Sequence, residues 1–320
     1  MVFSTMVPLC NKCNHKNAVY HRRYSGEILC KSCFMNSIEK KTLQTISKYS
    51  MIGFNQKIAV GVSGGKDSLT LLQILKKISK RNNNEIIAIT IDEGIEGYRD
   101  ESLSLVKNFC KEKNISLRIF SYKDLFDSSM DDAIMKRPSN KFSSCSICGT
   151  FRRRALDIAS QSVNAEVLAT AHNLDDYLQT FMINLFSGDV SRIGWMYPQP
   201  IEYNNGIKKI KPFVELYESE IVFYAFHSGI EFQTDQCPYM NESIRSEFRL
   251  FFNDLEKIHP GIKYNCYKSM NKISKIIKTT EKNEHVKNTC INCGETSSNS
   301  ICSVCTTIQM LDLNKKNFNN

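Results

Sequence analysis

The chain alternates between two kinds of hydrophobic pattern. Short apolar runs occur at Lys57–Val62 (KIAVGV), Glu85–Ile91 (EIIAITI), Ser116–Ser121 (SLRIFS) and Ala165–Thr170 (AEVLAT). Their length and β-branched content read as strands, and nearly unbroken hydrophobicity is what a strand covered on both faces shows. Between them run stretches of helical period: Asp67–Lys80, Glu101–Lys113, Gly149–Val163 and Asn173–Phe186. Strand and helix in alternation predict a parallel sheet wound with helices on both sides, an α/β fold. A helix at Ile38–Tyr49 precedes this block, and three more, Tyr217–Gly229, Ile244–Lys257 and Gly261–Lys278, follow it. There is no periodic repeat.

Composition adds to this picture. With 42% apolar and 23% charged residues over 320 positions, the chain reads as globular and long enough to bury a core without disulfides. The strongest apolar run, Ile86–Ile91, is far short of the ~20 residues that span a bilayer, so a membrane protein is not expected. The N-terminus lacks a secretory pattern, and a cytoplasmic location follows as the expectation.

Ten of the thirteen cysteines form C-x-x-C pairs. In a reducing compartment such pairs signal metal or redox chemistry. Cys10, Cys13, Cys30 and Cys33 read as one zinc ribbon and Cys290, Cys293, Cys302 and Cys305 as a second, each a closed set of four thiolates. Two Zn²⁺ held in this way lower the formal charge of +9 to about +5. The residual excess favours a polyanionic partner. Its basic clusters are Arg22-Arg23, Lys136-Arg137, Arg152–Arg154, Lys208-Lys209-Lys211 and Lys315-Lys316; each alone reads as a solvated face. The predicted organisation is an N-terminal ribbon (1–36), a linker helix (37–50), the α/β domain (51–232), a helical extension (233–284), a C-terminal ribbon (285–308) and a frayed tail (309–320).

Ser63-Gly64-Gly65-Lys66-Asp67-Ser68 falls between the first strand and its helix. That context aims backbone N–H groups and a helix dipole at one point, with two hydroxyls and an ammonium beside them, as a phosphate requires. The spacing is not that of a Walker A loop. A plain capped turn is the alternative. Asp175-Asp176, after the fourth strand, lies at the same carboxyl edge, where open α/β sheets bind ligands. Asp176 is the candidate Mg²⁺ or ATP-proximal residue, set against plain helix capping. Cys145 and Cys148 stand near a helix start with Arg152–Arg154 behind them, which predicts depressed thiol pKa values. Cys237 precedes Pro238-Tyr239 in an expected rigid turn. Three thiols without a fourth suit an unsaturated site; a redox pair plus an unrelated Cys237 is equally open at this point.

The loop SGGKDS resembles that of the PP-loop ATP pyrophosphatases. Together with C-S-x-C-G-T-x-R-R, A-H-N-L-D-D and the distant C-P-Y, it resembles the tRNA 2-thiolation branch, the TtcA/TtuA family, over almost the whole chain. The flanking ribbons point to the TtuA and wobble-uridine side. The resemblance implies a parallel, doubly wound PP-loop ATPase domain flanked by zinc ribbons. It further implies ATP bound by the loop and by the end of the second strand (Ile91-Asp92-Glu93-Gly94), and a [4Fe–4S] cluster on Cys145, Cys148 and Cys237. The implied reaction is adenylation of a tRNA uridine C2 oxygen, with Asp176 and the three cysteines as catalytic residues, followed by attack of sulfide held on the open iron. The sulfur source is either a ubiquitin-like thiocarboxylate carrier or free sulfide, and a homodimer is left open. T-loop thiolation is a heat adaptation in this family. The 28 asparagines point to a mesophile, so the wobble position is favoured. The alternatives are T-loop thiolation, a persulfide on Cys145 or Cys237 without a cluster, and a non-catalytic ribbon adaptor that binds RNA.

Overall fold

The computed structural model describes residues 8–138, 142–200, 206–240, 244–280, 288–297 and 299–313. The pair Lys315-Lys316 and the terminal KKNFNN lie outside them.

The chain opens with a hairpin, β1 (Tyr20–Arg22) and β2 (Glu27–Leu29), and the helix α1 (Lys31–Lys48). Then come β3 (Lys57–Gly61), α2 (Lys66–Ser79), β4 (Glu85–Asp92), α3 (Arg99–Glu112) and β5 (Ser116–Ser121). The short helices α4 (Tyr122–Phe126) and α5 (Met130–Met135) lead to α6 (Ser144–Ser162), β6 (Val167–Ala169), α7 (Leu174–Phe186) and α8 (Val190–Gly194). β7 (Lys208–Ile210), α9 (Glu218–His227), α10 (Arg245–Ile258) and α11 (Ile262–Thr280) follow. The described chain ends with a two-residue hairpin, β8 (Asn288–Thr289) with β9 (Thr296–Ser297), and α12 (Ser303–Met310).

The central sheet is parallel, in the order β5-β4-β3-β6-β7. The period-2 rule divides its side chains cleanly. Ile58, Val60, Ile86, Ala88, Val167 and Ala169 join one core with α1, α2, α3, α7 and α9. Ala59, Ile87, Ile89, Ile91 and Leu168 join the other, with α4, α6 and α12. In α2 the fully buried Leu69, Leu71, Leu72 and Ile74 each contribute about 1.5–3 kcal/mol by leaving water.

The sequence predicts four sheet strands; the fifth, β7, was missed. Its KKI carries two lysines, and it is a strand because it pairs with β6 at the sheet edge, where Lys209 reaches Asp157 at 2.6 Å. β5, expected to be covered on both faces, is the opposite edge and is largely exposed or half-buried. α6 begins at Ser144 rather than Gly149, because Ser143 caps it by accepting from the Ser146 N–H. α1 begins at Lys31, inside the first ribbon, seven residues ahead of the predicted start.

Arg22, read as part of a solvated basic face, is buried. It donates to Glu220 Oε1 through Nε at 2.6 Å, to Ser37 at 2.8 Å and also to Glu27, so it locks the first hairpin on to α9. At the other end Arg154 pairs with Glu295 at 2.6 Å, tying the terminal hairpin to α6.

Candidate functional site

The strand order reverses at β3, which pairs with β4 on one side and with β6 on the other. Both loops leaving this switch point, Val62–Gly65 after β3 and Thr170–Asn173 after β6, open at the carboxyl edge, where an α/β crevice forms.

In the first loop Ser68 Oγ accepts from the Ser63 N–H at 3.1 Å and donates to the Gly65 carbonyl at 3.0 Å, closing the turn over the start of α2. Gly64 sits at φ +88°, and a Cβ there would lie 2.7 Å from Ser102 Cβ and 2.8 Å from the Ser102 carbonyl oxygen. Only glycine fits. Gly65 is the N-cap of α2 with ordinary extended backbone, and a Cβ there would meet nothing closer than 3.5 Å. Its missing side chain leaves the loop's outer face open.

Lys66 and Asp67 are not on a fully exposed edge. They form the first turn of α2 and are 22% and 26% exposed. Lys66 Nζ lies 2.8 Å from both Asp67 Oδ2 and Glu218 Oε1. Burial opposes its charge, yet these two carboxylates hold its pKa above the ordinary range.

In the second loop Asn173 caps α7 by accepting from the Asp176 N–H at 3.0 Å, and Asp176 accepts in return from the Asn173 N–H at 3.0 Å. This capping box turns the two neighbouring aspartates apart. Asp175 goes inward to Lys263 and to the Glu218 N–H at 2.8 Å. Asp176 faces Asp67 and Glu218, and burial together with those charges raises its pKa to about 6, against the Asn173 N–H and Arg245. Burial also raises Asp67. A carboxylate is the donor that Mg²⁺ takes alongside phosphate oxygens, so Asp176 fits that ion chemically, although among the described residues no three carboxylates are drawn together as a metal site. His172 is open to solvent at one face but is otherwise surrounded by protein. That desolvation, with Lys211, Arg245, Arg152 and Arg153 around it, lowers its pKa to about 3.

The three isolated cysteines converge beside this edge. Cys145 and Cys148 occupy the first turns of α6. The segment before Cys237 crosses the phosphate loop, with the Gln233 N–H donating to the Gly64 carbonyl at 3.1 Å. It then turns, the Met240 N–H donating to the Cys237 carbonyl at 3.0 Å. Tyr239 anchors the turn through Asp131 at 2.7 Å, and its carbonyl accepts from Cys145 Sγ at 3.7 Å. Cys148 Sγ accepts from Arg152 Nη2 at 3.1 Å and lies 3.7 Å from Tyr122 Oη.

The expected depression of the Cys148 pKa is corrected. Burial pushes this thiol up, and Arg152 only partly opposes it. Of the three arginines, Arg152 makes the sulfur contact, while Arg153 donates to Thr150 at 3.3 Å. Among the described residues, the three cysteines are not drawn together as the terminal fours are. Three thiolates are nonetheless a donor set of the kind an iron–sulfur cluster takes.

The terminal sets are tight. Cys10, Cys13, Cys30 and Cys33 have their sulfurs within 4.8 Å of one another, as do Cys290, Cys293, Cys302 and Cys305. Zn–S bonds of about 2.3 Å place tetrahedral sulfurs about 3.8 Å apart. Cys13–Cys30 is 3.9 Å and Cys293–Cys302 is 3.7 Å, so both sets fit zinc. Each pairs a turn, closed by a left-handed residue (Asn14 or Gly294), with a helix N-terminus (α1 or α12) whose dipole favours thiolate. Backbone donors outweigh burial and lower Cys10 and Cys290 to about 6.

Sequence reasoning missed Arg99, Tyr122, Glu218, Gln233 and Lys263, because isolated residues far apart in sequence carry no spacing signal. A cavity of about 470 Å³ opens between the first hairpin, α9 and α10. It reaches the site only through Asp175 and Glu218, and no residue of Ser63–Ser68 lines it, so it is not the nucleotide crevice.

A phosphate loop at the switch point of a parallel sheet, with a thiol site beside it, defines a PP-loop protein. The family described as a PP-loop domain (ATP_bind_3) matches residues 35–254, and that described as the N-terminal LIM domain of the 2-thiouridine synthetase TtuA matches residues 9–35. The chain is 35% identical over 313 residues to cytoplasmic tRNA 2-thiolation protein 1 of Aspergillus niger, covering 96% of this chain and 89% of that one. It is 34% identical over 307 residues to the protein of the same name in Danio rerio, covering 95% and 88%. Its structure resembles that of the U34-tRNA thiolase NcsA from Methanococcus maripaludis with its [4Fe-4S] cluster, at TM-score 0.83 and 32% identity, over 96% of this chain and 98% of that one. The chain belongs to the PP-loop tRNA 2-thiolation family.

Proposed function

We propose that this protein is a cytoplasmic tRNA sulfurtransferase that makes 2-thiouridine at the wobble position, using ATP. The observation that carries the reading is the meeting of the phosphate loop, Asp176 and the three-cysteine site at one sheet edge, in a chain whose relatives are named for tRNA 2-thiolation.

The Ser63–Ser68 backbone and the Lys66 ammonium hold the ATP phosphates, and Ile91 and Asp92 at the end of β4 hold the adenosine. Asp176 would help hold a Mg²⁺, which would offset the charge of the phosphates. The uridine C2 oxygen attacks the α-phosphorus and pyrophosphate leaves. The adenylated oxygen is then a competent leaving group: sulfur adds at C2, the C2–O bond breaks, and AMP departs.

Cys145, Cys148 and Cys237 would hold a [4Fe–4S] cluster, which would supply an iron open to a sulfur nucleophile. Arg152 donates to Cys148 Sγ and offsets negative charge there. His172 is neutral at physiological pH, so it adds no positive charge to the crevice. Arg152, Arg153, Lys211 and Arg245, which surround it, supply a field suited to the RNA phosphates flanking the target. The two ribbons carry structural zinc. The sulfur comes from a thiocarboxylate carrier or from free sulfide.

Mass spectrometry of tRNA from cells lacking this chain tests the reading. Loss of 2-thiouridine at the wobble position is expected. Loss confined to the T-loop would reassign the target, and unchanged tRNA would refute the activity.

A further inference from the structure

Glu93 lies in the segment whose Ile91 and Asp92 are assigned to adenosine, yet its own side chain is buried between the two halves of the site. It is 3% exposed, just past the end of β4. Its Oε1 accepts from Arg152 Nε at 2.9 Å. Its Oε2 lies 2.7 Å from Arg99 Nε, an ion pair by distance without the angle of a good hydrogen bond. Arg99 donates to the Ser63 carbonyl at 3.0 Å, in the phosphate loop, and to the Ile91 carbonyl at 2.6 Å. Arg152 donates to Cys148 Sγ at 3.1 Å. One carboxylate therefore joins a group fixed on the nucleotide loop to a group fixed on a cysteine sulfur.

We propose that Glu93 is a positioning residue: it holds Arg152 against Cys148 and ties that contact to the nucleotide loop through Arg99. The proposal rests on the reading of Cys145, Cys148 and Cys237 as the sulfur site. The two arginines depend on Glu93 unequally. Arg99 is buried and keeps two carbonyl acceptors of its own. Arg152 is 51% exposed on a long, entropically costly side chain, and Glu93 is its well-directed carboxylate partner. In Glu93→Gln the amide offers one acceptor where two guanidinium groups need two, and its NH₂ turns a donor toward a donor. Arg152, being the less anchored, is the one released.

The test needs no metal for its first readout. On the full chain labelled with ¹⁵N-arginine, the Arg152 Nε–H signal is assigned by its loss in Arg152→Lys, and its exchange with solvent is measured. Exchange should be slow in the wild type and about tenfold or more faster in Glu93→Gln, with a smaller change at Arg99, whose Nη groups keep the Ser63 and Ile91 carbonyls. In the anaerobically iron-loaded protein the same substitution should lower thiolation kcat by about 10- to 100-fold, the usual effect of losing an outer-shell partner of a metal ligand. The KM for ATP should stay within about threefold. Unchanged Arg152 exchange, or a Glu93→Gln enzyme working at full rate, overturns the proposal. Should Glu93→Gln fail to fold, Arg152→Gln at the half-exposed end of the pair must reproduce the kcat loss, and a wild-type rate there overturns it equally. Full thiolation by the cysteine variants would instead sink the sulfur-site reading while leaving the exchange result intact.

Discussion

Gly64 and Gly65 are neighbours in one loop, and the structure separates what each is for. Replacing Gly64 with alanine forces a side chain on to a backbone at φ +88°, at about 1–2 kcal/mol. The new Cβ also meets Ser102 Cβ at 2.7 Å and the Ser102 carbonyl oxygen at 2.8 Å, atoms fixed by α3 that cannot swing aside. Overpacking of that kind adds about 1–3 kcal/mol. The expected loss is about 2–5 kcal/mol, or an apparent melting point lower by roughly 3–7 °C for a chain of this length. Gly65→Ala meets neither penalty, since its φ is −82° and the nearest atom, Ser63 Oγ, is 3.5 Å away. It should melt within roughly 2 °C of the wild type. Yet its methyl stands where phosphate must approach the backbone, so ATP affinity should fall about tenfold or more, the scale of one lost charged hydrogen bond. Thermal scanning and calorimetric ATP titration of both variants decide the matter. If Gly64→Ala melts with the wild type, the steric reasoning fails; if Gly65→Ala binds ATP as tightly as the wild type, the phosphate-loop reading fails with it.

Elemental analysis should find about two zinc per chain, one fewer in Cys10→Ser or Cys290→Ser, and an unchanged number in Cys145→Ser; zinc that survives the terminal substitutions contradicts the ribbon sites. Glu220 is fully buried and accepts from Arg22 and Tyr24, so Glu220→Ala leaves Arg22 Nε without its acceptor, Glu27 and Ser37 still holding the other end of the guanidinium, and should cost about 1–3 kcal/mol in urea unfolding. Asp176→Asn should abolish ATP-dependent activity yet raise ligand-free stability at pH 7 by about 1 kcal/mol, after discounting for solvent screening. The sign follows from its folded pKa of about 6 against 3.8 unfolded: the native state binds the extra proton between those values, so wild-type stability rises as pH falls through that window. The advantage of the variant should therefore fade between about pH 6 and 4, and one that persisted at pH 4 would contradict the assignment.

Much of the architecture was legible in the chain because its causes are local. The alternation in Ile58–Val60 and Ile86–Ile91 is written directly in the side chains that divide between the two cores. The ribbon cysteines announce themselves by spacing, and SGGKDS by its place after a strand. What stayed hidden depends on partners distant in sequence. β7 is a strand only because β6 supplies its ladder, and Arg22 is buried only because Glu220, on α9, accepts from it. Asp175 and Asp176 look alike as an Asp-Asp pair, and the capping box with Asn173 assigns one to Lys263 and the other to the crevice. The Cys148 pKa was misjudged because charge near a thiol can be read from sequence, whereas burial cannot.

The central claim is that sulfur transfer needs the three-cysteine site loaded with iron. The direct measurement is thiolation of wobble-uridine tRNA by anaerobically purified protein, with ATP and sulfide, across preparations of graded iron content. The rate should rise in proportion to iron, with AMP released for each 2-thiouridine made, and should vanish in Cys145→Ser, Cys148→Ser and Cys237→Ser. Full-rate thiolation by colourless, iron-free protein would contradict the account and show that sulfide displaces AMP from the adenylated uridine without iron.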